Sequence, residues 1–179
     1  MYLSQHGGIA DPKALYVLEG GINDILHTHT TPSDQLGQQI ATALAGSEQS
    51  LRQAGARNFV IPTLFNIGLL PAGQRYGASD LAATQALNSD LSGLLAPEAL
   101  LPNIHIIRLD LYSLVNAVLS DPTHFGFTNI TTACLNVTIC ADPDHTFFWD
   151  FYHPTANGYA LFAEALETAL EKQGNPPGT

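Results

Sequence analysis

The segment Trp149-Asp150-Phe151-Tyr152-His153-Pro154 holds a carboxylate and an imidazole three residues apart, at a proline-stiffened turn that leads into a helical pattern. A carboxylate there would accept the imidazole N–H, fix the tautomer and stabilise the imidazolium formed on proton uptake. Asp150 and His153 are therefore a candidate orienting group and general base for acyl transfer. The same spacing also suits a helix-capping turn, with Asp150 as the cap and His153 in an exposed first turn. A second stretch, Gly20-Gly21-Ile22-Asn23-Asp24, follows a strand-like run. Asn23 could donate its side-chain amide to a developing oxyanion, and Gly21 allows close backbone approach. The structural alternative is an ordinary strand-to-helix turn, where Gly, Asn and Asp are all common.

The elements that must position these residues alternate. Ala14 to Leu18, Asn58 to Leu64 and Ile104 to Leu109 are short apolar runs bounded by turn residues, as expected of strands buried in a parallel sheet. A helix is expected from the Thr31-Pro32-Ser33-Asp34 start to Ala54-Gly55, with Leu36, Ile40, Leu44 and Leu51 on its inner face. A second, capped by Ser79-Asp80, turns Leu81, Leu87, Leu91, Leu94 and Leu95 inward and stops at Pro97. A short helix follows Asp110, from Tyr112 to Leu119, and the last, about Thr155 to Glu171, presents Tyr159, Phe162, Leu166 and Leu170. The stretch from Leu69 to Gly77, with Arg75, reads as a loop over the site, and the Asn175-Pro176-Pro177-Gly178 tail as loose. The pattern is that of one α/β domain over residues 1–172 with a 173–179 tail, and an open parallel sheet places its ligands at the strand carboxyl ends, where Gly20 to Asp24 fall.

Composition narrows the function. With 45% apolar and 12% charged residues the chain is globular, and a formal net charge of −10 opposes nucleic acid and anionic membrane surfaces. No apolar run reaches the ~18–20 residues of a membrane span. The N-terminus lacks the basic-then-apolar pattern of a signal peptide, which leaves a cytoplasmic location open.

Cys134 and Cys140 lie in a polar segment. There a short disulfide loop competes with two free thiols, while two thiols alone make a poor zinc site. His27 and His29 have the i, i+2 spacing of a metal pair but no third ligand nearby, so a solvated loop is the expectation. No metal or cofactor is expected. Asn129-Ile130-Thr131 and Asn136-Val137-Thr138 fit the glycosylation sequon, and Phe147, Phe148 and Trp149 suit either an acyl-pocket wall or the core.

Gly21-Ile22-Asn23-Asp24 and Asp150 to His153 resemble the G-x-N-D and D-x-x-H blocks of the SGNH (GDSL) esterase and lipase family. The flanking text is similar to its autotransporter and phospholipase-like branch: Ala10-Asp11-Pro12, Asp110-Leu111-Tyr112, Gly126-Phe127-Thr128-Asn129 and Phe148-Trp149-Asp150. The resemblance runs from residue 2 to about residue 170. It implies a flavodoxin-like three-layer α/β/α sandwich, metal-free hydrolysis of short-chain acyl esters, His153 as base, Asp150 as its partner, Gly21 and Asn23 at the oxyanion, and a secreted or periplasmic setting.

Members of that family also carry a Gly-Asp-Ser-Leu turn with the nucleophile and a second block with an oxyanion glycine. Neither is in this sequence, and none of its serines stands in a G-D-S or G-x-S-x-G context. The nucleophile is therefore unassigned. The expectation is an N-terminally truncated domain lacking its first strands, with a homodimer formed through the bare sheet edge from Ala14 to Leu18 or through the face that the truncation uncovers. Two functions follow: an esterase using the Asp–His pair on water or on a recruited serine, or a non-catalytic remnant that binds a ligand or partner and is completed by another chain.

Overall fold

The three apolar runs form one parallel sheet in a computed structural model that describes residues 2–72 and 76–173. In chain order the elements are α1 (Tyr2–Gln5), β1 (Leu15–Val17), α2 (Ile22–His27), α3 (Ser33–Gln53), β2 (Asn58–Val60), α4 (Gly77–Leu95), β3 (His105–Ile107), α5 (Leu111–Ser120) and α6 (Ala156–Lys172). The strand order is β1-β2-β3, with Tyr16 beside Phe59 and Phe59 beside Ile106. The regular strands are shorter than the apolar runs, but the pairing continues through Leu18 N–H to Val60 O, Ile61 N–H to Ile107 O and Thr63 N–H to Leu109 O.

Register decides what each face meets. Neighbours in a parallel ladder share a face, and successive residues alternate. Tyr16 and Phe59 therefore point into the main core with Leu36, Ile40, Leu87 and Leu91 of α3 and α4. Val60 and Ile107 point the other way, against Leu166, Ala169 and Leu170 of α6. Helices lie on both sides of the sheet, so the fold is a three-layer α/β/α sandwich. Val17 shares the α6 face but is 58% exposed, because α6 covers β2 and β3 and leaves the edge strand open.

α3 and α4 approach closely through Gly37, where a Cβ would sit 2.6 Å from both Ala86 Cβ and the Leu87 backbone nitrogen. Two details of α4 correct the sequence expectation. The helix begins at Gly77, so Asp80 is no cap but a buried residue of the first turn. Leu94 is exposed, because the inward stripe runs at i+4 steps through Leu87, Leu91 and Leu95, and Leu94 lies a residue out of phase.

Residues 121–148 have little regular structure yet contribute Phe127, Phe147 and Phe148 to the core with almost no exposure. Phe147 packs edge-on against both of the others, so Phe147 and Phe148 are core residues. The Cys134–Cys140 disulfide closes the polar turn between them, and the Cys140 N–H donates to Cys134 O. No helix among the described residues is long and apolar enough to cross a membrane. Arg75 and the Asn175 to Gly178 tail lie outside the described residues.

Candidate active site

The Asp150–His153 turn is held from both ends. Trp149 N–H donates to His153 O and Thr155 N–H to Phe147 O, a narrow antiparallel closure that fixes the segment before α6. Inside it the Asp150 carboxylate accepts the backbone N–H of Tyr152 at 2.8 Å and of His153 at 2.7 Å. The His153 ring swings back so that Nδ1 lies 3.0 and 2.9 Å from the two carboxylate oxygens. Because a carboxylate only accepts, Nδ1 carries the proton and Nε2 holds the free lone pair. The helix cap is Thr155, whose hydroxyl oxygen accepts the Gly158 N–H, so the capping role considered for Asp150 belongs five residues on.

Burial alone would raise the Asp150 carboxyl. The hydrogen bond from His153, the Tyr152 and His153 amides and the His153 charge outweigh it, holding the carboxyl below the usual carboxylate range. Asp150 is therefore ionised wherever His153 could act as a base. His153 remains well exposed on its outer side.

Gly21 precedes α2 with φ of 105°, a left-handed conformation that strains any other residue. Space demands glycine as well, since a Cβ there would lie 2.7 Å from Ile40 Cγ2 and 3.2 Å from Leu87 Cδ2. The turn thus starts a short helix at Ile22, with four residues between it and the Val17 end of the strand, and Asn23 lies in its first turn.

Gly21, Asn23 and His153 line one cavity of about 800 Å³. It lies beyond the carboxyl ends of all three strands, reached by Glu19 and Gly20 after β1, Thr63 to Phe65 after β2, and Leu111 after β3. Its remaining wall comes from α2 and α6, including Ile22, Leu26, Tyr159 and Phe162. No serine lines it; among the described residues the hydroxyls on its wall are Thr63, Tyr152 and Tyr159. The Thr63 hydroxyl is engaged, lying 3.2 Å from Asp110 Oδ1 and accepting the Tyr112 N–H at 3.0 Å.

Glu19, Thr63, Tyr159 and Phe162 were missed as cavity residues from sequence. Alternation from Leu15 through Val17 puts Glu19 on the α6 face, a signal present in the strand pattern. Tyr159 was expected on the apolar stripe of α6, but it is 48% exposed and faces the cavity instead. His29 corrects another expectation. It is no solvated loop residue: its ring stacks on Tyr76 at 3.7 Å, Nε2 lies 2.9 Å from Leu26 O, and Nδ1 lies 3.6 Å from Asp80 Oδ1. Among the described residues no group of three or more His, Cys, Asp or Glu side chains is arranged to hold a metal ion.

A parallel three-layer sandwich with a G-x-N-D turn after its edge strand and a D-x-x-H turn before its last helix is an SGNH-type hydrolase domain. A sequence model of the GDSL-like lipase/acylhydrolase family matches residues 3–166, and the chain belongs to that family. It is 25% identical to a GDSL esterase/lipase of Arabidopsis thaliana over 89% of this chain and 52% of the relative. A second Arabidopsis thaliana GDSL esterase/lipase is 25% identical over 86% of this chain and 49% of the relative. An uncharacterized Pseudomonas putida protein from the trpE-trpG intergenic region is 29% identical over 90% of this chain and 29% of the relative. The chain thus spans about half the length of the plant relatives and less of the bacterial one.

Proposed function

We propose that the chain carries the general-base half of a carboxylic ester hydrolase acting on small acyl esters, with His153 as base, Asp150 as its orienting partner, and Asn23 with the Gly21 backbone as oxyanion donors. The observation that carries this reading is the Nδ1-anchored imidazole of His153 on a cavity it shares with Asn23. Nε2 takes a proton from the nucleophile's O–H as its oxygen bonds to the ester carbonyl carbon, and Asp150 stabilises the imidazolium. The carbonyl electron pair moves to oxygen, where the Asn23 amide meets the developing charge. Collapse re-forms the carbonyl, breaks the bond to the alkoxy oxygen, and returns the proton from Nε2 to the departing alcohol.

With no serine on the cavity wall, the attacking oxygen in this chain is water, or a serine hydroxyl brought by another segment or subunit. Loss of the nucleophile from a triad leaves roughly 10³–10⁴-fold over water, which bounds the water-only case. A second reading is a ligand- or partner-binding module completed by another chain, with the open β1 edge as the place of pairing. A homodimer pairing β1 would cover Leu15 and Val17, and a single monomeric species in sedimentation velocity at micromolar concentration would remove it. The disulfide supports an oxidising compartment.

The deciding experiment is hydrolysis of p-nitrophenyl butyrate by the purified chain beside His153→Ala. Turnover lost in the variant supports the esterase reading. Equal silence in both favours the binding module.

A further inference from the structure

One carboxylate on the cavity wall has no part in the proton transfers above. Glu19 falls on the α6 face of β1 by alternation from Leu15 and Val17, and the ladder bond from Leu18 N–H to Val60 O at 2.9 Å carries that alternation past the end of the strand. Among the described residues no Lys, Arg or His lies within ion-pair distance of it, and no Lys or Arg lines the cavity. Rings of α6 line the same cavity. Tyr159 and Phe162 are 5.9 Å apart at 87°, a two-walled aromatic corner, and Phe65 continues the wall 6.2 Å from Phe162.

From this geometry we propose that the cavity selects esters whose alcohol carries a tetraalkylammonium group, seated in the Tyr159–Phe162 corner with Glu19 as counter-charge. Ring faces attract a cation that has no hydrogen-bond donors, and such a cation loses less hydration than a primary ammonium. The Tyr159 hydroxyl reports the same field. Burial, then the negative charges of Asp150 and Glu19, raise it above the ordinary tyrosine range, so deprotonation beside them is disfavoured and a cation there is favoured. The net charge of −10 adds long-range attraction of the same sign. An anionic headgroup would meet Glu19 and Asp24, and among the described residues the wall offers no Lys or Arg to balance them.

The proposal deepens the esterase reading, yet its binding half stands apart from turnover. Tetramethylammonium chloride is titrated into the purified chain with NMR detection at constant ionic strength, beside neopentyl alcohol, a neutral probe of similar shape. The expected result is amide shifts at Gly20, Tyr159 and Phe162, with the cation binding at least about fivefold tighter than the alcohol. Glu19→Gln and Tyr159→Leu, each checked for an unchanged circular dichroism spectrum, should weaken the cation about fivefold. No binding to the wild-type chain, equal affinity for both probes, or affinity unchanged in both variants overturns the proposal. In parallel, acetylthiocholine is compared with S-3,3-dimethylbutyl thioacetate, expected to differ at least fivefold in kcat/KM in favour of the cation. If ammonium binds but no ester is turned over, the esterase reading fails while the cation site stands; if esters are cleaved with no cation preference, the reverse holds.

Discussion

His153 Nδ1 lies 2.9 Å from Asp150 Oδ2, while the Tyr152 and His153 backbone amides both end on Asp150 Oδ1. One carboxylate therefore shapes the turn and orients the ring within it.

Asp150→Asn should separate these two duties. The amide oxygen still accepts a backbone N–H, so the turn persists, but the side-chain N–H₂ now faces Nδ1 and favours the wrong tautomer. In a serine triad the same change lowers kcat about 10⁴-fold. A loss of at least about 100-fold in ester turnover, with circular dichroism unchanged, is the expected outcome if the pair acts as proposed. Turnover within a few fold of wild type would remove Asp150 from the mechanism.

The same carboxyl gives a pH dependence of stability. Its pKa is lower folded than unfolded, so its contribution is complete above the unfolded value, about 3.9. That contribution is lost as pH falls through the folded value. Urea unfolding from pH 6 down to pH 2 should show Asp150→Asn losing less stability than wild type across that window.

Asp80 has the opposite sign. Burial raises its carboxyl, with His29 partly opposing, and Oδ1 has no hydrogen-bond partner. Any stability it contributes is present below the unfolded carboxylate value and is lost as pH rises through the folded one. Relative to wild type, Asp80→Asn should therefore gain in urea midpoint between pH 4 and pH 8. A difference independent of pH would mean that Asp80 is not titrating in the folded protein.

Gly21→Ala combines a positive φ with a 2.7 Å contact to Ile40. Strain and overpacking of this kind cost about 1–3 kcal/mol each. The melting temperature should fall by several degrees, and a variant as stable as wild type would show that the turn relaxes freely.

Replacing Cys134 and Cys140 together by serine opens a loop with a sequence separation of 6. The chain-entropy relation gives about 2 kcal/mol for so short a loop. Urea unfolding of the double variant against the oxidised wild type measures it, and no change would mean that the linkage constrains nothing the unfolded chain would otherwise explore.

Much of the site was legible because its geometry is local. Asp150 and His153 interact across three residues, and the Gly21 turn follows its strand directly, so short-range chemistry wrote both into the sequence. Short apolar runs bounded by turn residues likewise located three strands, and period-3.6 patterns the main helices. They told which residues share a face, but not what would cross that face. Leu94 looked like a core residue and is exposed, and Asp80 looked like a cap and is buried, because the close α3–α4 packing through Gly37 selects one stripe of the helix. Glu19 shares a cavity with Tyr159 and Phe162, about 140 residues later in the chain, only in the folded protein. No local pattern encodes a separation of that length. The sequence by itself determined the fold class, the Asp–His turn and the glycine that starts α2; tertiary packing alone decided which side chains surround the cavity, since that depends on how the layers close over the strand ends.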